Sequence, residues 1–315
     1  MKCVVLGGGG FIGSHITDAL LKEPGYQVTV FDRPGAIYLD QLKESGAKII
    51  VGDFLNVQDL VRAVQGNDVI FHLISTTVPS YSNDHVVFDV ETNIIGSLNL
   101  LDVAREAKVH KVIFSSSGGT VYGVPERTVI TESHQTQPIS SYGITKLTIE
   151  KYLHLYWKLH GLDYCILRIS NAYGERQVPS GVQGLIPTVI DKALRHEEIN
   201  IWGNGSVIRD YIYVTDVAAG FVSASKYFGE DRVFNISTGV GYSTNEVLER
   251  LKALVDFPIN IKHDPARLYD VPANILDNTK ARELLKWKPI VSIEEGLEKT
   301  YRYFAELADY EKSTD

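Results

Sequence analysis

Cysteine is almost absent from this chain: there are two in 315 residues, Cys3 and Cys165. Two thiols in a chain of this length make no disulfide framework. Each lies in an apolar, strand-like run, which predicts reduced core residues and a cytoplasmic setting. No apolar stretch approaches the roughly 18 residues that a membrane span needs. The first six residues, Met1 to Leu6, give way at once to glycines, unlike a signal peptide. An excess of positive charge is also missing. Lys+Arg total 31 against 39 Asp+Glu, for a formal charge of −8. That balance argues against nucleic acid or a membrane surface as partner, although a local basic cluster can still hold a phosphate. The sequence contains no internal repeat, no low-complexity tract and no clean linker.

What is present is ordinary globular material, 44% hydrophobic and 22% charged. At about 150 residues per domain, it is enough for one large or two modest domains with a real core. Short apolar runs at Lys2–Leu6, Gln27–Phe31, Lys48–Val51, Asp68–Phe71, Lys111–Ser115 and Tyr164–Ile169 read as strands. Helical spacing separates them, at Phe11–Lys22, Asp59–Val64, Val86–Ala107 and Ser141–His160. Strand–helix alternation predicts an α/β fold, a doubly wound parallel sheet of Rossmann type with helices on both faces. Beyond Ser170 the pattern is less regular, with helices expected at Thr215–Lys226, Asn245–Val255, Thr279–Leu285 and Ile293–Ala308. This second half is expected to pack on the first as a smaller α/β substrate-binding part and to close a shared cleft.

The strongest local signal is Gly7-Gly8-Gly9-Gly10-Phe11-Ile12-Gly13, set between the first strand and the first helix. Gly7, Gly10 and Gly13 have the spacing G-x-x-G-x-x-G. Such glycines allow a tight turn, a close backbone approach to a pyrophosphate and close helix–strand packing. An acid at the end of the next strand, Asp32, can accept both hydroxyls of an adenosine ribose and repels a 2′-phosphate. That favours NAD over NADP, although Arg33 stands beside it. Asp53, after the third strand, either meets the adenine amine or is a simple turn residue.

Tyr142 and Lys146 stand four apart, on one helix face. A phenol near pKa 10 is a poor base at neutral pH, and a neighbouring ammonium together with an oxidised nicotinamide stabilises the phenolate. Taken alone, the pair also fits an amphipathic helix with a snorkelling lysine. Its weight comes from Ser115-Ser116-Ser117-Gly118-Gly119-Thr120-Val121-Tyr122-Gly123 at the carboxyl end of the fifth strand, where open α/β sheets bind ligands.

With these motifs the chain resembles the extended short-chain dehydrogenase/reductase family, most closely its nucleotide-sugar 4-epimerases of the UDP-glucose 4-epimerase type. The resemblance runs nearly end to end. It takes in Asp53-Phe54, Phe71-His72-Leu73, Asn93 with Gly96, the segment Leu167 to Asn171, Arg209 to Asp216, Arg267 to Asp270, and Lys286-Trp287-Lys288-Pro289. It implies a NAD-binding Rossmann domain over 1–170, with contributions from later segments, and an interleaved nucleotide-sugar-binding domain over 171–315.

By the same resemblance Tyr142 is the base, Lys146 fixes the ribose and tunes Tyr142, and Ser117 bonds the reacting hydroxyl. Ser116 and Thr120 remain alternatives for that last role, because Gly118-Gly119 looks like a one-residue insertion. Gly7, Gly10, Phe11, Ile12, Gly13, Asp32, Asp53, Phe54, Leu73, Asn93 and Ser115 are implied at the cofactor. Asn171, Leu185, Arg209, Arg267 and Asp270 are implied at the nucleotide sugar, with Asn274 as a gatekeeper beside the sugar C2 substituent.

The expected reaction is 4-epimerisation of a UDP-hexose, UDP-glucose and possible N-acetyl counterparts included. The alternatives are a 4,6-dehydratase, a decarboxylase or a reductase of the same family. Dehydratases and decarboxylases place a carboxylate where this chain has Gly118, Gly119 and Thr120, so elimination would lack its general acid. A non-catalytic NAD-binding protein of the same fold is a further alternative, disfavoured by the retention of both Tyr142 and Lys146. The apolar stripes of Val86–Ala107 and Ser141–His160 either face their own sheet or, as the resemblance implies, build a homodimer on a four-helix contact.

Overall fold

The computed structural model describes residues 1–179, 184–265 and 271–314. Seven parallel strands form the main sheet. The first five in chain order are β1 (Lys2–Leu6), β2 (Gln27–Asp32), β3 (Lys48–Val51), β4 (Val69–His72) and β5 (Lys111–Ser117). Across the sheet the order is Val233–Ile236, Asp163–Ile169, β5, β4, β1, β2, β3. The order reverses beside β1, so a crevice opens there at the carboxyl ends of the strands.

Helices cover both faces because the strands are apolar on both. In β5, Ile113 points into one core with Phe71, Phe221 and Phe234. Its neighbours Val112 and Phe114 point into the other, with Leu60, Leu100 and Ile149, as the period of two requires. Phe11–Leu21 and Val214–Ser225 supply the first layer; Val57–Val64, Gly96–Glu106 and Ser141–His160 supply the second. Cys3 and Cys165 are buried free thiols, and burial pushes both up to about 12, which leaves them inert.

A second, five-stranded sheet is assembled from distant pieces of chain. It contains Gly241–Ser243, Ile208–Tyr213, Ala273–Leu276 and Val129–Ile130, with Asn171–Tyr173 pairing to Ile208–Tyr213. Its own core gathers Ile186, Ile190, Tyr213, Leu248 and Leu297. The two parts interleave: the outermost strand of the main sheet, Val233–Ile236, comes from the far half of the chain and pairs with Asp163–Ile169. That strand is missing from the sequence reading, as are the helices Leu39–Glu44, Pro79–Asp84 and Leu185–Leu194.

One expected helix is not a single regular element. Val86–Ala107 is divided into Val86–Asp89, a π-type stretch Val90–Ile95 and Gly96–Glu106. Among the described residues no helix is long and apolar enough to cross a membrane.

Candidate active site

A cavity of about 600 Å³ opens at the reversal point of the sheet. Its floor is the glycine turn. Gly7 has φ +82°, a value that favours glycine, and a Cβ on Gly13 would lie 2.1 Å from the Gly7 carbonyl oxygen. The helix Phe11–Leu21 therefore starts directly on the turn. Gly10 is its N-cap and no side chain caps it, so its first N–H groups remain available to an anion. Behind the turn, Asp32 accepts from Gly9 N and Arg33 N at 2.8 Å each. Burial holds its carboxyl above the usual range, against the pull of those two N–H donors. An uncapped helix start, a Cβ-free approach at Gly10 and a carboxylate at the end of β2 form a donor and acceptor set that fits NAD.

The opposite wall carries the reactive groups. Ser140 caps the helix Ser141–His160 by accepting from Gly143 N at 3.2 Å, while Ser82 Oγ and Asn83 Oδ1 accept from Tyr142 N and Ser141 N. Gly143 permits the close seat of this helix: a Cβ there would lie 3.0 Å from the Thr120 carbonyl oxygen and 2.8 Å from Pro138 Cβ. Tyr142 and Lys146 consequently share the cavity with Ser117 and Thr120. Burial pushes the Tyr142 phenol up to about 12, and a hydrogen bond from Ser75 opposes that shift. Burial also brings Lys146 down to about 8, while the charges of Asp89 and Glu150 pull it back up. The Lys146 ammonium lies 5.5 Å from the Tyr142 ring centre. No aspartate or glutamate lines the cavity among the described residues.

The three candidate hydroxyls separate by geometry. All three residues line the cavity, but the Ser116 hydroxyl is engaged: it donates to Glu150 at 2.6 Å, and Glu150 is locked in a buried pair with Arg168. Ser117 and Thr120 both line the cavity, and the buried Thr120 Oγ1 has no partner.

Of the remaining sequence candidates, Phe11, Ile12, Leu73, Ser115, Asn171, Leu185 and Arg209 also line the cavity. Arg209 is braced there by donating to the carbonyls of Ile208 and Val271 at 2.8 and 2.6 Å. Four others do not form the wall. Asp53 is exposed and accepts from Leu55 N at 2.9 Å. Phe54 is buried against His72 and under Gly96, where a Cβ would meet its ring at 2.4 Å; packing explains both residues. Asn93 is buried behind the wall, where it accepts from Thr76 N and donates to Asp89 and Thr76, so it shapes the loop rather than the surface. Asn274 is 1% exposed and donates to the Gly118 carbonyl at 3.2 Å, with its own oxygen unpaired. Arg267 and Asp270 lie outside the described residues.

The sequence reading overlooks Asp89. Its fully buried carboxylate accepts from Ser141 Oγ at 2.7 Å, Thr145 Oγ1 at 2.8 Å, Thr77 Oγ1 at 2.5 Å and Asn93 Nδ2 at 3.0 Å. Only its spacing of four from Asn93 on a helical stretch could have pointed to it. Ser75, on the loop after β4, is overlooked as well.

The chain is similar in sequence and fold to known proteins. A model of the NAD dependent epimerase/dehydratase family matches residues 3–237. The UDP-glucose 4-epimerase of Mycolicibacterium smegmatis is 35% identical over 317 positions, spanning 96% of this chain and 98% of that one. The crystal structure of UDP-glucose 4-epimerase from Thermotoga maritima with UDP-glucose superimposes with a TM-score of 0.91 at 38% identity, covering 98% of this chain and 100% of that one. The UDP-N-acetylglucosamine 4-epimerase of Methanobrevibacter ruminantium, in complex with UDP-N-acetylmuramic acid, has a TM-score of 0.90 at 30% identity, covering 97% and 98%.

Proposed function

Since the chain belongs to the NAD-dependent epimerase/dehydratase family, we propose that it interconverts UDP-hexoses differing at C4, UDP-glucose and UDP-galactose first among them. The observation that carries this reading is the composition of the cavity wall. Tyr142, Lys146, Ser117 and Thr120 face an NAD-type turn, and among the described residues no aspartate or glutamate lines the wall; Asp89 and Glu150 lie buried behind it. Eliminating water from C6 needs a general acid to protonate the leaving hydroxyl, and the wall offers no carboxylic acid for it.

When bound, NAD supplies an acceptor for the C4 hydride and a donor that returns it to the opposite face. Tyr142 takes the proton of the C4 hydroxyl and later gives it back. Lys146, charged below about pH 8, stabilises the phenolate. Ser117 donates a hydrogen bond to the reacting oxygen, and Thr120 is the second candidate for that task. Asn171, Leu185 and Arg209 hold the nucleotide end, with Arg209 as the cation for the diphosphate. Net oxidation is zero, so the cofactor stays with the enzyme.

A UDP-N-acetylhexose is the second substrate, supported by the likeness to the UDP-N-acetylglucosamine 4-epimerase of Methanobrevibacter ruminantium; Asn274, buried against the Gly118 carbonyl, does not line the cavity and lends no support as its gatekeeper.

The test offers UDP-glucose, UDP-galactose and their N-acetyl counterparts and follows the products by NMR. The expected result is a mixture of C4 epimers with no net NADH, abolished in Tyr142→Phe. A product lacking water or carbon dioxide, or net reduction, would overturn the reading.

We also propose a homodimer. The packed helical segments Val86–Glu106 and Ser141–His160 leave Val87, Phe88, Val90 and Ile95, and Ile144, Leu155 and Leu159, exposed along their length, and apolar side chains strung along two packed helices are what a second copy covers.

A further inference from the structure

A smaller cavity of about 260 Å³ lies on the other side of the glycine turn, between Gly9, Gly10, Phe11, Tyr38, Arg176 and Gln177. It shares Gly10, Phe11 and Gln177 with the reactive cavity. Gly9 N also holds Asp32, so this cavity occupies the adenosine side of the turn. Gln177 thus stands where the two cavities meet, and Arg176 beside it in the wall of the smaller one.

These two residues leave the strand Asn171–Tyr173 and cross over the turn. The crossing is tied down at three points. His15 Nε2 pairs with the Glu175 carbonyl oxygen at 3.1 Å, Tyr38 OH donates to the Arg176 carbonyl at 3.1 Å, and Arg176 Nη2 meets Asp18 at 2.8 Å. Arg176 has φ +64°, an uncommon conformation for a non-glycine residue. Its guanidinium sits 5.5 Å from the Tyr38 ring centre.

Asp18 satisfies only one arm of the fork. Arg176 Nη1 is buried without a partner, and so is Gln177 Oε1. A buried donor without a partner is costly, and a guanidinium N–H on a residue that shares a cavity with the uncapped helix start at Gly10 and Phe11 is matched to an oxyanion.

We propose that Arg176 and Gln177 form a strap over the diphosphate of NAD. In this arrangement Arg176 Nη1 donates to a phosphate oxygen from above while the helix N–H groups hold it from below. The free acceptor of Gln177 takes a ribose hydroxyl. The strap belongs to the chain that continues from Asn171, so it closes the cofactor in from the substrate side and slows its release. This inference rests on NAD binding and not on which sugar is turned over.

The experiment measures NAD affinity and the NADH dissociation rate by displacement fluorescence, with no sugar present. In Arg176→Met, NAD and ADP should both bind at least tenfold more weakly, NADH should leave at least tenfold faster, and adenosine affinity should stay within twofold. Asp18→Asn breaks the ion pair but keeps the guanidinium; it should lower the melting temperature and leave NAD affinity within threefold. Unchanged NAD and ADP binding in Arg176→Met overturns the strap. So does an Asp18→Asn protein as weak as Arg176→Met, because Arg176 would then only brace the helix. Should Arg176→Met fail to fold, Arg176→Lys decides: at least threefold weaker NAD binding supports the fork, and wild-type affinity rejects it. If the wild-type protein itself binds no NAD, the cofactor assignment falls, a result distinct from failure of the strap.

Discussion

The Lys146 ammonium donates to the carbonyl oxygen of Ser115 at 3.0 Å, which fixes the helix of Tyr142 to the end of β5. This bond keeps a charge in a place where burial opposes it. The Lys146 proton comes off at about pH 8 instead of 10.5. Between these values the unfolded chain binds more protons than the folded one, so this group's contribution to stability increases with pH. Below pH 8 its burial cost is fully present. Activity has the opposite sign, because the phenolate of Tyr142 needs the ammonium beside it. Expected, therefore, is a kcat that falls above about pH 8 while the urea midpoint rises relative to Lys146→Met. A midpoint with the same pH slope in both proteins would place the Lys146 proton elsewhere.

Gly10 and Gly13 separate cofactor binding from folding. A methyl on Gly13 would lie 2.1 Å from a backbone oxygen and 2.7 Å from Gly8 Cα, neither of which can yield cheaply. Gly13→Ala should cost about 3 kcal/mol or more, well above the roughly 1 kcal/mol that alanine gains in a helix. A methyl on Gly10 meets only the Gly7 carbonyl oxygen at 3.4 Å and otherwise points into the cavity. Gly10→Ala should melt within about 2 °C of wild type and bind NAD at least tenfold more weakly, as read by calorimetry and thermal melts. Equal stability losses in the two variants would contradict this division.

The parts of the site that could be read from the chain are those built from neighbours in sequence. The glycine turn, Asp32 at the end of the following strand, and Tyr142 with Lys146 are all fixed by local spacing. What escaped depends on contacts between distant segments. Asp89 bonds Ser141 and Thr145 across 52 and 56 residues, and Arg176 reaches back to Asp18. The π-type stretch Val90–Ile95 shifts the helical phase without disturbing its apolar spacing, so Val86–Ala107 reads as one helix. The short helix Pro79–Asp84 is almost wholly polar and starts on a proline, which gives it no periodic signal. Val233–Ile236 is interrupted by Asn235, which is buried only because Ile130 and Asp277 carbonyls accept from its amide.

Asp89 acts on the reactive pair through charge as well as position. Its carboxylate raises both the Tyr142 phenol and the Lys146 ammonium. Asp89→Asn removes that charge and leaves a single acceptor oxygen for the Ser141, Thr145 and Thr77 hydroxyls. Both limbs of the kcat/KM profile should move to lower pH, and the rate at pH 8 should fall about tenfold or more. If Asp89 were merely structural, the profile would shrink without shifting, and the pH series distinguishes the two.

The proposed dimer face makes the last prediction. Val87 and Leu159 lie on neighbouring helical segments and are exposed well beyond what a solvated surface requires. Neither reaches the cavity wall. Val87→Glu with Leu159→Glu places two carboxylates per protomer, four per pair, in an apolar contact, and burying a charge without a partner costs several kcal/mol. Light scattering should therefore show the mass of two chains for wild type and of one chain for the double variant, with NAD affinity within threefold. A wild-type protein that already runs at 35.1 kDa, or a double variant that keeps its dimer mass, would assign these side chains to a solvent-facing surface.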